Sequence, residues 1–373
     1  MEGWQRALRD DPVPWLLDRD APAVRHLALR QLLGLPPDDP EVASARAAAM
    51  GSEPIAGILA AQDPQGWWVK PGPGYAPKYT GTVWQLIFLG QMGADGRDAR
   101  VATACEYILS HSQTAVGGFG ASSVRTAAQP PPSTAIHCLN GNLLRALIGF
   151  GWLDDPRVVR SIDWQVAVIT GEGSGAARRP ATSGPGFRCS ANEHLPCAWG
   201  ATKVVLGLAA IPVERRAPGV RRALDAGVEF LLGCDPSTAA YPMPSRASRP
   251  NGSWFRPGFP SGYVADVLQV IEAVCDAGAA GDPRLEPAME WLLGLQDDRG
   301  RWANRYAYQH KLVRDIDVPD APSRWVTLRA CRVLRAVAES QGGTVTGALG
   351  ATVGGAREAQ GALVTGAREA RDA

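Results

Sequence analysis

Two kinds of apolar pattern alternate along the chain and predict two classes of α-helix. Segments of the first kind are apolar on nearly every side, which is typical of a helix packed against neighbours on two faces. Segments of the second kind place apolar residues at helical spacing among polar ones, which predicts a helix with one face in solvent. The first kind covers residues 83–89, 143–148, 204–208, 267–271 and 325–337, and the second covers 101–109, 158–166, 220–232 and 285–295.

A short turn joins each nearly apolar segment to the amphipathic segment that follows it. The turn recurs about every 60 residues, starting at Asp39, Asp98, Asp155, Ala217 and Asp282. Aspartate caps the N-terminus of a helix and proline suits its first position, so each copy should begin an outer helix. Repetition at a nearly fixed period is typical of repeat architectures. With a HEAT-like helix pair within residues 1–50, the pattern predicts five to six helix hairpins and hardly any strand.

The connections that lead from outer to inner helices are long and rich in glycine, proline and serine. They cover residues 69–79, 117–134, 171–196, 236–262 and 301–324. Because they alternate with the short turns, all five should lie at the same end of the molecule, and loops of this length often carry function. Residues 1–340 are interpreted as one domain, and the Gly/Ala-rich segment 341–373 as a disordered tail.

The charge and composition of the chain limit the kinds of molecule that it is expected to bind. The formal net charge is +1, so no general field attracts nucleic acid or an anionic membrane, and no apolar run is long enough to span a bilayer. The N-terminus lacks a signal-peptide pattern, and seven cysteines is an odd number for a disulfide framework. We therefore expect a cytoplasmic protein with reduced thiols.

Three segments have glutamine, glycine and an aromatic residue at the same spacing. They begin at Gln62, Gln113 and Gln296, and their aromatic residues are Trp68, Phe119 and Trp302. The glutamine can hydrogen-bond the start of the next outer helix, and glycine permits a tight turn. The spacing resembles the QW motif of squalene and oxidosqualene cyclases, whose repeats are shared with protein prenyltransferases. The resemblance implies an all-α α/α-toroid.

The same resemblance implies an isoprenoid or other apolar substrate in the toroid cavity. Terpene cyclases of this group protonate an alkene with an aspartate of a D-x-D-D motif. This chain has only Asp315 and Asp317 in a comparable pattern, without the last aspartate. Both are candidate catalytic acids, and the alternative is a solvated loop that caps the following helix.

Cysteines and one histidine gather near the starts of two successive inner helices. Cys138 follows a histidine in one repeat, and Cys189, His194 and Cys197 lie one repeat later, with Glu193 as a candidate catalytic carboxylate between them. Thiolates and imidazole are the ligands that tetrahedral zinc prefers. The resemblance allows zinc at this end, since prenyltransferases and lanthionine synthetase C-like proteins hold it there. Ordinary buried thiols and a surface histidine are the alternative.

Aromatic side chains crowd the long connections, and they either line a substrate cavity or plug the mouth of the toroid. The candidate substrate-binding residues are Trp67, Trp68, Trp254, Tyr263, Tyr306 and His310. Three functions stay open at this stage. The first is a cyclase-like or prenyltransferase-like protein, the second is a zinc enzyme, and the third is a helical-repeat scaffold without catalysis.

Overall fold

The structure is a computed structural model that describes residues 3–122, 129–172 and 183–342. The predicted tail, 341–373, lies outside these residues apart from its first two positions. The α-helices of the described residues are α1 (Val13–Leu16), α2 (Pro22–Gln31), α3 (Pro40–Met50), α4 (Ile55–Ala60), α5 (Thr82–Gln91), α6 (Ala99–His111), α7 (His137–Gly149), α8 (Pro156–Thr170), α9 (Ala198–Ala209), α10 (Pro218–Leu231), α11 (Val267–Ala277), α12 (Glu286–Gly294) and α13 (Arg324–Ser340). Short 3₁₀ helices cover Gly3–Ala7, Pro132–Thr134, Ser190–Asn192, Val213–Arg215, Gly252–Phe255 and Pro283–Leu285, and two two-residue strands, β1 (Ser183–Gly184) and β2 (Arg188–Cys189), pair antiparallel.

Six helices form an inner ring. Helix α5 packs on α7, α7 on α9, α9 on α11, α11 on α13, and α13 on α2. The ring closes where Leu27 of α2 lies against Gly93, just after α5, so closely that a Cβ on Gly93 would be 2.8 Å from Leu27 Cδ2. Helices α3, α6, α8, α10 and α12 each pack on the inner helix that precedes them. The predicted all-α toroid is confirmed, with five hairpins and α13 as the sixth inner helix.

Helices α7 and α9 approach each other most closely, and glycines make this possible. A Cβ on Gly141 would collide with the carbonyl group of Lys203, and one on Gly207 would collide with the carbonyl oxygen of Gly141. Both glycines lie on inner helices and are buried. The two backbones therefore touch, which fixes the relative positions of side chains that the two helices direct into the ring.

The repeated sequence features have the predicted local roles. The side chains of Asp39, Asp98 and Asp155 accept hydrogen bonds from backbone amides in the first turns of α3, α6 and α8, and Asp282 caps the 3₁₀ turn before α12. Ala217 cannot cap α10, and no side chain does so. The turn therefore starts an outer helix in every repeat, even where the capping carboxylate is missing.

In each of the three Gln–Gly–aromatic segments, the glutamine side chain hydrogen-bonds a neighbouring part of the chain, and we call this arrangement the glutamine clasp. Gln62 Nε2 donates to Arg100 O at 2.9 Å, and Gln113 Nε2 donates to Arg157 O at 2.7 Å, in each case at the start of the next outer helix. Gln296 Oε1 accepts from Arg9 N at 2.8 Å, which ties the last repeat to the N-terminal segment. The three clasp glycines have positive φ angles of 96°, 101° and 65° in chain order.

The long connections meet at one end of the ring, as the alternation predicts. Asn192 Nδ2 donates to Pro242 O at 3.1 Å, which joins the third connection to the fourth. Asn304 Oδ1 accepts from Phe259 N at 3.2 Å, which joins the fifth to the fourth. Tyr79, at the end of the first, has its ring centroid 4.4 Å from that of Tyr308 in the fifth. We call this end the rim. None of the described helices combines the length and apolar character needed to cross a membrane.

Candidate functional site

A cavity of about 350 Å³ opens at the rim between the third and fourth long connections. We call it the rim cavity. Its walls come from residues 189–199 on one side and 239–254 on the other. Its size lies at the lower end of the range typical of small-molecule sites, roughly 300–1,000 Å³. The lining residues are Cys189, Ala191, Asn192, Cys197, Ala198, Trp199, Ala239, Tyr241, Pro242, Met243, Pro244, Arg246, Ala247, Arg249, Pro250, Asn251 and Trp254.

Three aromatic rings form the apolar wall of the rim cavity. The ring centroid of Trp254 lies 5.3 Å from that of Tyr241 and 6.3 Å from that of Trp199. Tyr241 is buried, and its hydroxyl donates to Leu231 O at 2.8 Å, so its polar end is satisfied and its ring is held in place. Burial raises the pKa of Tyr241, which stays neutral. The wall is therefore a fixed apolar surface.

The polar groups of the rim cavity lie mostly at its mouth. Arg246 and Arg249 line the cavity and are exposed, and none of the lining residues is an aspartate or glutamate. Glu193, the predicted catalytic carboxylate, is outside the lining and accepts from Ser245 N at 2.9 Å and from Ser245 Oγ at 3.1 Å. These hydrogen bonds lower the pKa of Glu193 and tie the two walls together. Glu193 thus has a structural contact and no contact with the cavity.

Two of the predicted metal ligands form a thiol pair in the cavity wall. The side chains of Cys189 and Cys197 hydrogen-bond each other, and the thiol of Cys197 stabilises the thiolate of Cys189 by donating to it. This bond lowers the pKa of Cys189 to about 6, although burial opposes it, while burial of Cys138 raises the pKa of that thiol to about 11. Cys189 is therefore the thiol that is ionised at neutral pH.

The thiols do not assemble a complete zinc site among the described residues. Cys138 interacts electrostatically with both Cys189 and Cys197, so the three predicted cysteines are neighbours. His194 is exposed, and its backbone amide donates to Cys189 O at 2.9 Å. No group of three or more histidine, cysteine, aspartate or glutamate side chains in the described ranges is placed to hold a metal ion. Zinc binding stays a prediction.

A buried histidine beside this cluster is committed to protein contacts. The Nδ1 of His137 is 2.9 Å from Gln165 Nε2, which must donate, so Nε2 of His137 carries the proton and faces Gly184 O at 3.2 Å. Burial lowers the pKa of His137 to about 4, so it is neutral. His137 positions the start of α7, where Cys138 lies.

The two predicted acidic residues of the last connection lie away from the rim cavity. Asp317 accepts from Asn304 Nδ2 at 3.0 Å and from the hydroxyl of Ser323, the residue that caps α13. Burial raises the pKa of Asp317, and these bonds oppose the rise. Asp315 accepts from His310 N at 3.0 Å near the surface. Their contacts match the alternative of a loop that supports the cap of α13.

The predicted aromatic residues divide into three groups. Trp254 lines the rim cavity, as expected. Tyr263 and Tyr306 belong to a cluster of tyrosines that fills the centre of the rim, where Lys78 Nζ lies 3.9 Å from the ring centroid of Tyr263. The other three, Trp67, Trp68 and His310, do not line the rim cavity.

The positions of Trp68 and His310 show why neither lines the rim cavity. Trp68 is 1% exposed, and its indole N–H donates to Ile58 O at 2.8 Å, so it holds the clasp of the first repeat together. Trp302 makes the same bond to Leu292 O at 2.7 Å. The side chain of His310 is 81% exposed, so it cannot line an interior site.

The centre of the ring is polar, although the sequence led us to expect an apolar toroid cavity there. Inner helices direct charged side chains to the ring axis around an axial cavity of about 60 Å³. Glu272 of α11 accepts from Arg329 Nη2 at 2.7 Å and from Arg332 Nη2 at 2.8 Å. Burial alone would raise the pKa of Glu272, but the two guanidinium groups hold it far below its usual value. Leu27, Phe259 and Trp325 also line this space, but about 60 Å³ between charged side chains is too small for an isoprenoid chain.

Sequence reasoning missed both Trp199 and the axial charges. Trp199 follows the thiol pair directly and could have been chosen from its position. Lys203 is one of four lysines in the chain and sits within the nearly apolar segment of α9, which was a usable signal. Arg145 interrupts the nearly apolar segment of α7 in the same way. A charged residue inside such a segment indicates a buried polar site when neighbouring repeats show the same feature.

No protein-family model matches the sequence, and a search of curated proteins finds no relative. Solved structures of similar architecture exist. A type II terpene cyclase, MstE from Scytonema, in the apo form, has 12% sequence identity and a TM-score of 0.29, with 77% of this chain and 96% of that chain covered. A variant of the same cyclase in complex with geranylgeranyl dihydroxybenzoate, its substrate, has 12% identity, a TM-score of 0.29 and coverage of 81% and 97%. A protein from Actinoplanes has 13% identity, a TM-score of 0.30 and coverage of 79% and 99%. Similarity at this level does not indicate what this chain binds.

Proposed function

We propose that this protein binds an apolar, isoprenoid-like small molecule in the rim cavity, as a prenyltransferase-like or terpene cyclase-like protein. The observation that carries the proposal is the aromatic wall of Trp199, Tyr241 and Trp254 around a space of about 350 Å³. A fixed aromatic wall gains free energy by removing an apolar chain from water, at roughly 25 cal/mol per Å² of buried apolar surface. Met243 adds an adaptable apolar contact.

The mouth of the rim cavity favours a ligand with an anionic end. Arg246 and Arg249 are exposed there, and no carboxylate lines the cavity, while Glu193 attracts Arg246 from outside the lining. A guanidinium group binds carboxylate or phosphate through two parallel hydrogen bonds. We therefore infer that the ligand places its apolar chain inward and a phosphate or carboxylate at the mouth.

The chemistry available in the rim cavity favours transfer over cyclisation. Protonation of an alkene needs a carboxylic acid in contact with it. The lining residues include none, and Asp317 is bonded to Asn304 and Ser323 elsewhere. The thiolate of Cys189 is instead a nucleophile that lines the cavity. The reaction it would support is displacement on an isoprenoid diphosphate, in which the sulfur bonds to the carbon that carries the diphosphate, the carbon–oxygen bond breaks and diphosphate leaves.

The test is a binding titration of the full chain followed by tryptophan fluorescence or calorimetry. Geranylgeranyl diphosphate and geranylgeraniol share a chain and differ in their ends. We expect both to bind, the diphosphate more tightly. Trp254→Ala should weaken both by at least about tenfold, because aromatic residues at the centre of a binding site usually dominate its affinity. Trp152→Ala is the matched control, since Trp152 is half-buried in the short turn before α8.

A second variant keeps the test decisive if Trp254→Ala does not fold. Ala247→Trp adds bulk to the cavity without removing a wall residue, and it should abolish binding of both ligands. Binding that is unchanged in Trp254→Ala and in Ala247→Trp would overturn the proposal. Native mass spectrometry of the purified protein would also report any co-purified apolar molecule.

Zinc is the second candidate, favoured by the proximity of Cys138 to the thiol pair. Metal analysis of the purified chain separates it from the first. About one equivalent of zinc that is lost in Cys197→Ser would favour a zinc enzyme, and a protein without metal would leave the thiol pair as described.

The third candidate, a scaffold without a ligand site, predicts an open surface without a walled cavity. The aromatic wall of the rim cavity favours a small-molecule ligand instead. The expected cytoplasmic location and the expected lack of a nucleic-acid partner stay predictions.

A further inference from the structure

Arg145 is a half-buried cation, and no hydrogen bond or ion pair joins its guanidinium group to any residue in the described ranges. It lies on α7 at the ring axis and lines the axial cavity, where Glu272 and Asp276 act on it only through longer-range electrostatic attraction. Burial lowers the pKa of Arg145, but a guanidinium group remains protonated at physiological pH.

The nearby carboxylates are already used by other arginines. Glu272 is bound by Arg329 and Arg332, and Asp276 Oδ1 accepts from Arg332 Nη1 at 2.7 Å. Asp266 adds a third carboxyl group, because its Oδ1 lies 3.9 Å from Arg329 Nη2 while it also accepts from Gln269 N and Gln269 Nε2. With Lys203, four basic side chains thus surround three carboxyl groups, and Arg145 is the guanidinium group without a hydrogen-bonded carboxylate.

Further donors surround the same space. The ammonium group of Lys203 lines the axial cavity and donates to Gln269. Asn142 Nδ2 donates to Gly262 O at 3.0 Å, which leaves a second N–H on that amide. Gln31, an exposed residue at the end of α2, also lines the cavity, so the cavity communicates with solvent on that side.

The space is small and suits a small polar occupant. A cavity needs roughly 10–15 Å³ of space open to the centre of a water-sized sphere for each water molecule that it holds. By that measure, about 60 Å³ accommodates roughly four or five non-hydrogen atoms. An unpaired buried charge is costly unless a counter-charge accompanies it. Water alone would solvate Arg145 but would leave the excess positive charge.

We propose that the axial cavity is a binding site for a small oxyanion of the phosphate class, held by Arg145 with Lys203 and Asn142. This site is separate from the rim cavity, and its occupation does not depend on the proposed isoprenoid ligand. The anion completes the charge balance of the ring axis and thereby stabilises the closed ring.

The experiment is thermal unfolding of the full chain in buffers of equal ionic strength that contain phosphate, acetate or only chloride. We expect phosphate to raise Tm by about 2 °C or more relative to chloride, because a ligand that binds only the folded state stabilises it. In Arg145→Met this rise should vanish, while Tm in chloride should be equal to or above that of the wild type. Loss of a structural arginine would lower Tm instead.

Control variants test whether the phosphate effect depends on the axial cavity. Arg221→Met, at an exposed position on α10, should retain the full phosphate effect, and so should Trp254→Ala in the rim cavity. A larger effect of acetate than of phosphate that depends on Arg145 would contradict the assignment to the phosphate class.

Equal phosphate effects in the wild type and Arg145→Met, or no effect of either oxyanion on the wild type, would overturn it. If Arg145→Met does not fold, equilibrium dialysis of labelled phosphate against the wild type and Arg145→Lys decides. Binding to the wild type that weakens about tenfold in Arg145→Lys supports the site, and an absence of bound phosphate refutes it.

Discussion

The rim cavity and the ring axis lie one helical turn apart on α9, and the side chains that line them differ in polarity. Trp199 supplies an aromatic wall of the rim cavity, and Lys203, four residues later on the same face, supplies a buried ammonium group at the axis. The rim cavity has an aromatic wall that includes the thiol pair, and its basic side chains lie at its mouth. The axis is charged inside, with Glu272 held between two arginines. One repeat architecture therefore accommodates a space for an apolar ligand and a polar centre that fixes the ring.

This comparison separates the side chains that stabilise the fold from those that are available to bind a ligand. Removing a group from the axis should affect stability, because its partners would remain buried and unpaired. Removing a group from the rim cavity should affect ligand binding or thiol chemistry, because its partners face open space. The following variants test that division.

The largest effect is expected at the axis. Glu272→Gln should lower the free energy of unfolding by about 3–5 kcal/mol, because Arg329 and Arg332 lose the carboxylate that both of them bind. Urea unfolding followed by circular dichroism measures it. The control is Glu339→Gln, which removes an exposed partner of Arg335 and should change stability little. Equal losses in the two variants would show that the axis is not a special source of stability.

The next effect concerns the thiol pair. Alkylation of Cys189 by iodoacetamide should follow its thiolate, which increases as pH rises through about 6. Cys197→Ala removes the donor that lowers this pKa, so the midpoint should move up toward the ordinary thiol value and the rate at pH 7 should fall by up to roughly 30-fold. Cys197→Ser keeps a donor and should retain much of the rate. Mass spectrometry of the alkylated peptide locates the reaction, and a rate that does not respond to Cys197→Ala would contradict the pairing.

A smaller effect is expected at the mouth of the rim cavity. The double variant Arg246→Gln/Arg249→Gln should weaken binding of geranylgeranyl diphosphate by about tenfold, because the anionic end loses two charged donors. Binding of geranylgeraniol should be unchanged, and the salt dependence of diphosphate binding should decrease. Calorimetry at two salt concentrations measures both. If the affinity for both ligands fell equally, the arginines would be stabilising the cavity wall and not binding the charged end of the ligand.

The smallest effect is expected where the two walls are tied together. Ser245→Ala removes the hydroxyl that donates to Glu193 but keeps the bond from the backbone amide. Ligand affinity should fall by less than about threefold, because an exposed hydrogen bond contributes little. Glu193→Gln is the comparison, and a large loss of activity in that variant without a change in affinity would restore Glu193 as a catalytic candidate.

Much of the fold could be predicted because its causes are local. The turns at Asp39, Asp98 and Asp155 carry their own capping groups, and the clasps at Gln62 and Gln113 carry their own glycines. Trp254 and the neighbouring thiols were also found, because aromatic and thiol side chains within the long connections are visible in a sequence. Trp68 lies in a clasp and not in the rim cavity, and the sequence could not distinguish the two positions, because an aromatic residue that holds a clasp looks the same in sequence as one that lines a cavity.

The helix pattern and the end at which the long connections meet follow from the sequence alone, because helix periodicity, caps and repeated turns act over a few residues. The ring was implied only by the resemblance of the Gln–Gly–aromatic segments to the QW motif. The contacts of Glu272 with Arg329 and Arg332, which leave Arg145 unpaired, and the hydrogen bond between Cys189 and Cys197 are visible only in the folded molecule. Such meetings depend on the rotation of each inner helix and on how closely α7 and α9 approach at Gly141. Those quantities are set by packing across repeats, and no short segment of the chain encodes them.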